Sequence, residues 1–209
     1  MNGAIPTSLA GACVIFGTQL APILGVYPGQ INLQVPQVPA GQVLLQVVTQ
    51  CGTAQAEVSN TQMVIVQAAA PEFFYFVHNS NGKNPIAAIN ATTKENVDGP
   101  GLISGSTFTP AKPGDLLTLF ATGFGATAPA FDPGVLPGGA AQVTAPVSIM
   151  FGGIKLAAPD ILYVGVTQKA GLYQVNLRVP AGISDGDQSV TITIGGISSP
   201  VGAFITVKK

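Results

Sequence analysis

The phrase Gln30-Ile31-Asn32-Leu33-Gln34-Val35-Pro36 returns 144 positions later as Gln174-Val175-Asn176-Leu177-Arg178-Val179-Pro180, with five identical residues. Each copy alternates polar and apolar side chains and stops at proline, the pattern of a β-strand that buries one face. A phrase repeated over so long an interval marks two related units rather than one large domain. The chain has 209 residues, enough for two units that each bury a core.

Composition narrows the fold class. Hydrophobic residues make up 47% of the chain and charged residues 8%, against about 25% charged in an average domain. Such a chain is too apolar for disorder. The 26 glycines and 17 prolines punctuate short apolar runs, which is the signature of an all-β sandwich or barrel. The net charge of −1 argues against nucleic acid, whose phosphates require a basic patch. The most apolar run, Met63–Ala70, is far shorter than the ~20 residues of a spanning helix, so no membrane insertion is expected. Met1-Asn2-Gly3 carries no basic n-region and no apolar h-region follows. Either the protein is not exported, or the sequence is a mature or trimmed piece; the resemblance described below favours the second.

Strands are expected near 12–16, 20–26, 30–35, 42–50 and 61–68 in a first unit spanning 1–70. The second unit, 71–209, opens with a hairpin (71–91) around Phe73-Phe74-Tyr75-Phe76-Val77 and the turn residues 79–84, followed by a long loop (92–113). Its further strands are expected near 115–122, 147–151, 161–166, 171–179, 188–194 and 202–207. The Gly/Pro-rich span 123–145 is long for a loop, which points to binding or packing.

Laying one unit on the other places Phe16-Gly17 on Phe151-Gly152, Leu24-Gly25-Val26 on Leu162-Tyr163-Val164, and Cys51-Gly52 on Gly195-Gly196. The second unit also has Pro113-Gly114-Asp115-Leu116-Leu117-Thr118-Leu119-Phe120-Ala121-Thr122-Gly123-Phe124-Gly125, to which nothing in residues 1–12 corresponds. The first unit thus lacks its opening strands.

That thirteen-residue stretch resembles the opening strand of IPT/TIG-type immunoglobulin-like domains. More specifically, Tyr27–Pro36, Ala69-Ala70-Pro71-Glu72-Phe73-Phe74 and Gly171–Pro180 are similar to the uncharacterised repeat domain at the C-termini of secreted acidobacterial (Solibacter-type) proteins. The resemblance spans nearly the whole chain. It implies two tandem Ig-like sandwiches on an exported, surface-associated bacterial protein, and it supplies no catalytic residues. Members of that family carry a Gly-rich opening strand where this chain has none. Two readings account for the gap. Either the sequence is cut from a longer protein, or the first sandwich is open and accepts a strand from a neighbour, as in pilus-like fibres.

The two cysteines, Cys13 and Cys51, both fall in the first unit. A disulfide between them closes a loop of roughly 38 residues and adds ~3–4 kcal/mol; the alternative is a pair of buried thiols. No residue is assigned as catalytic, cofactor-binding or metal-ligating. His78 is the one histidine and has no nucleophile or orienting carboxylate at motif spacing. Gly123–Ala128 lacks the Lys-Ser/Thr ending of a phosphate loop. Ser184-Asp185-Gly186-Asp187 has too few ligands for calcium and reads as a turn. Asn90-Ala91-Thr92 fits the glycosylation triplet. There is no tryptophan, so a sugar platform would rest on Tyr27, Tyr75, Tyr163 or Tyr173.

The expectation is a non-enzymatic extracellular structural or adhesive module without cofactors. Its partners are protein, with oligomers or fibres built by strand donation. The alternative is a carbohydrate-binding accessory domain of a larger secreted protein, with polysaccharide as partner.

Overall fold

The computed structural model describes residues 3–209 and is all-β, with no α-helix among the described residues. Two compact units emerge. The first takes the residues up to Ala68 together with Ala130–Gly139 and Gln168–Gly171; the second takes Ala69–Pro129, Ala140–Thr167 and Leu172–Lys209. Two later stretches of the chain thus join the first unit. Backbone pairing explains one of them: Ile5 N–H donates to Gly134 O at 2.7 Å and Leu136 N–H to Gly3 O at 2.9 Å.

The first unit contains β1 (Ala12–Phe16), β2 (Gln19–Leu20), β3 (Ile23–Tyr27), β4 (Gln30–Leu33), β5 (Gly41–Thr49), β6 (Glu57–Val58) and β7 (Gln62–Val66). One sheet runs β2-β1-β5-β6, with β7 also on β5, and β3 and β4 form a separate two-stranded hairpin. The expected strand 20–26 is split by Ala21-Pro22, because Pro22 has no N–H to donate to a ladder. Alternation sets the inner face: Val14, Phe16 and Ala21 are buried, with Ile31, Leu33, Val43, Leu45 and Val47 partly buried against them.

The second unit opens with β8 (Glu72–Phe73), β9 (Asn84–Pro85), β10 (Ala88–Asn90), β11 (Asn96–Val97), β12 (Phe108–Thr109) and β13 (Leu116–Thr122). It continues with β14 (Thr127–Ala128), β15 (Ala141–Val143), β16 (Val147–Phe151), β17 (Ile154–Lys155), β18 (Ile161–Val166), β19 (Tyr173–Arg178), β20 (Gly186–Ile194), β21 (Ile197–Ser198) and β22 (Ala203–Val207). One sheet runs β12-β11-β10-β13-β19-β18-β15-β14 with β8 on β13. The other runs β17-β16-β20-β22-β9 with β21 on β20. Leu117, Leu119, Val175 and Leu177 from the first and Ile149, Val190, Ile192 and Ile205 from the second belong to one buried cluster, the filling of a sandwich.

The leading hairpin is present as a local pairing: Tyr75 bridges Ile86 and Ala87 N–H donates to Phe74 O at 2.7 Å. Its arms then part, β8 and β10 joining β13 and β9 pairing with β22 of the other sheet. The expected loop 92–113 carries two short strands, β11 and β12, which extend the sheet beyond β10. Both are only two residues long, too short to leave a periodic trace in sequence.

Strand pairing in the two units agrees residue for residue. Ala12↔Thr49 and Phe16↔Leu45 correspond to Val147↔Ile194 and Phe151↔Val190. Gly41↔Val66 and Leu44↔Met63 correspond to Gly186↔Val207 and Ser189↔Phe204. Ile31↔Val26 and Leu33↔Ile23 correspond to Val175↔Val164 and Leu177↔Ile161, and each hairpin carries an irregularity at the same step, between Ile23 and Gly25 and between Ile161 and Tyr163. In the second unit β19 also pairs along its other edge with β13. In the first unit, among the described residues, β4 pairs only with β3.

Candidate functional site: the open edge of the first unit

With no strand beside it, the outer edge of β4 borders a cleft of about 720 Å³ between the β3–β4 hairpin and the β1–β5 sheet. Val14, Ile31, Leu33, Leu45 and Val47 line it, with Tyr27 and Gln30 at its margin. None of its lining residues is charged. The register correspondence gives each of these aliphatic residues a counterpart: Ile149, Val175, Leu177, Val190 and Ile192, all fully buried. In the first unit Ile31, Leu33, Leu45 and Val47 are only half-buried.

What closes the second unit is β13. Its Leu117, Leu119 and Ala121 are fully buried and lie opposite Leu177, Val175 and Tyr173. Between them, Thr118 Oγ1 donates to Asn176 Oδ1 at 2.9 Å, and Gln174 Nε2 donates to the same oxygen at 2.7 Å. The first unit keeps half of this arrangement: Gln30 Nε2 donates to Asn32 Oδ1 at 2.6 Å, and Asn32 is exposed.

Among the described residues, the leading segment does not fill the gap. Ile23 N–H donates to Pro6 O at 2.7 Å, so residues 5–6 run beside β3, and Leu9 turns back to bridge Ala12. Ala10 and Gly11 reach the rim of the cleft. The Cys13–Cys51 disulfide is formed and ties the start of β1 to the residues just after β5.

The other candidates take ordinary places. His78 is exposed, with its ring edge-on to Tyr75 at 5.1 Å between centroids. In Gly123–Ala128 the turn buries Phe124 against the Tyr173 ring, 5.1 Å between centroids. Asn90 Nδ2, the atom a glycan would modify, donates to Asp115 Oδ2 at 3.1 Å. Of the tyrosines, Tyr27 alone is exposed, at 57%. Tyr75 donates to Glu72 Oε1 at 2.5 Å, Tyr163 to Ala141 O at 3.1 Å, and Tyr173 to Gly125 O. Burial, reinforced by Glu72, holds the Tyr75 phenol well above its ordinary pKa. Among the described residues no three His, Cys, Asp or Glu side chains gather as a metal site.

One polar cluster was not expected from the sequence. Asp98, 5% exposed, accepts from Gly99 N–H at 2.5 Å and from Thr206 Oγ1 at 2.7 Å, while Thr206 Oγ1 also lies 2.8 Å from Asp187 Oδ1. The partners come from β20, β22 and a loop whose Asp98 lies 108 residues before Thr206, so no motif announces them.

Compared with family models, with curated proteins and with solved structures, the chain matches none. No helix among the described residues is long and apolar enough to cross a membrane.

Proposed function

We propose that this chain is a non-enzymatic, extracellular structural or adhesive module whose open first unit accepts a β-strand from another polypeptide, building protein assemblies. The single observation behind this reading is the pairing difference at one edge: β19 has β13 beside it, and among the described residues no strand lies on the matching edge of β4. A bare edge with half-buried aliphatics behind it is an unfinished sandwich. Completing the burial of a half-buried Leu, Ile or Val contributes about 1 kcal/mol each, and an added strand also pairs the edge amides and carbonyls of β4. The resemblance to exported repeat domains and the Cys13–Cys51 disulfide support an oxidising, extracellular setting.

Amide hydrogen exchange read alongside light scattering and electron microscopy tests this. The β4 amides should exchange rapidly in monomeric chain and slowly in oligomers, filaments or a strand-bound complex. A monomer whose β4 amides are all protected would mean that the edge is closed from within, and the reading would fail.

A further inference from the structure

We infer that the open edge selects its occupant by sequence: a strand reading aliphatic-Thr-aliphatic, laid antiparallel to β4 with its threonine on Asn32. This rests on the strand-accepting reading above and specifies what is accepted.

The second unit supplies the template. There β13 lies antiparallel to β19, with Leu117, Thr118 and Leu119 opposite Leu177, Asn176 and Val175. The matching positions on β4 are Leu33, Asn32 and Ile31, because the two hairpins share one register. A strand in that register turns two aliphatic side chains toward Leu45 and Val47, the counterparts of Val190 and Ile192. It turns the intervening side chain toward Asn32. Asn32 Oδ1 already holds the bond from Gln30 that Asn176 Oδ1 holds from Gln174. A carbonyl oxygen has two lone pairs, and in the second unit the remaining one takes the Thr118 hydroxyl.

Charge agrees with this assignment. The cleft carries no charged residue and neither does β13, Leu116–Thr122. A charged side chain on the inner face of the incoming strand would be buried without a partner.

The occupant is not a second copy of this chain. The triplet with a large aliphatic on each side occurs here as Leu117-Thr118-Leu119, Val190-Thr191-Ile192, Ile192-Thr193-Ile194 and Ile205-Thr206-Val207. All lie in strands already paired within the second unit, with their aliphatic side chains buried. Donating one would dismantle that core.

The test titrates the full chain into a fluorescent peptide copying Pro113–Gly125, with anisotropy as the readout. The copy should bind saturably, and a peptide with Leu119→Asp should not. Thr118→Val in the peptide should weaken binding about five- to tenfold, the scale of one hydrogen bond lost while an acceptor stays behind. Against the Asn32→Leu chain, whose changed side chain is exposed, the Thr and Val peptides should bind alike. If both bind the natural chain equally, or a scrambled peptide matches the copy, the edge accepts strands without reading them. The inference then falls and the proposed function stands. If no peptide binds and the β4 amides are protected in the monomer, both fall. If the chain alone forms oligomers that excess peptide does not dissociate, the occupant is a second copy and the inference is overturned.

Discussion

At the scale of single residues, Asp98 shows how a fold can shift a titration in a way that sequence does not announce. Burial raises its pKa above 3.8; the bonds from Thr206 and Gly99 oppose the shift, and the nearby Asp187 charge adds to it. Thr206 has one hydroxyl proton and faces two carboxylate oxygens, so one of those approaches is relieved when a carboxyl keeps its own proton. An acid with a raised pKa in the folded state stabilises the fold below its unfolded pKa. That contribution is lost as pH rises through the folded pKa. Asp98→Asn keeps the acceptor and removes the charge. In urea unfolding it should be more stable than the natural chain at pH 7, with the difference shrinking toward pH 4. A variant less stable at pH 7 would show that the ionised carboxylate is favourable there.

Elements divide by how much of their partner lies nearby in sequence. The strands β1, β3, β4, β5 and β7 were legible as short apolar or alternating runs between turn residues, and the repeated phrase added to the signal at β4. The two-residue strands β11 and β12 were not, since their pairing is decided by distant neighbours. The disulfide illustrates an element held from outside its own ladder. Cys13 sits on β1 opposite Val48 of β5, and Cys51 follows β5 at the turn, so the bond reinforces a strand pair that the ladder already forms. The double substitution Cys13→Ala/Cys51→Ala should lower the stability of the first unit by ~3 kcal/mol. Chemical denaturation followed by hydrogen exchange would localise the loss. An equal loss in the second unit would mean that the two do not unfold separately.

For the molecule as a whole, the contrast between the units is one of completeness. The buried cluster of the first unit is Val14, Phe16 and Ala21, while that of the second draws fully buried side chains from both of its sheets. Calorimetry should therefore show two transitions, the lower one belonging to the first unit and moving upward when a strand peptide is bound. One transition at a single temperature, unmoved by peptide, would contradict this. The all-β class and most strand positions follow from the sequence alone. Both are written in local alternation and in a repeat of identical residues, which survive without coordinates. Three things belong to the tertiary structure. It carries residues 130–139 into the first unit, it assembles Asp98 with Thr206 and Asp187, and it leaves Asn32 at an unpaired edge with one acceptor site unused. Each depends on residues far apart in the chain meeting through register. Register is a property of paired strands, and no single strand contains it.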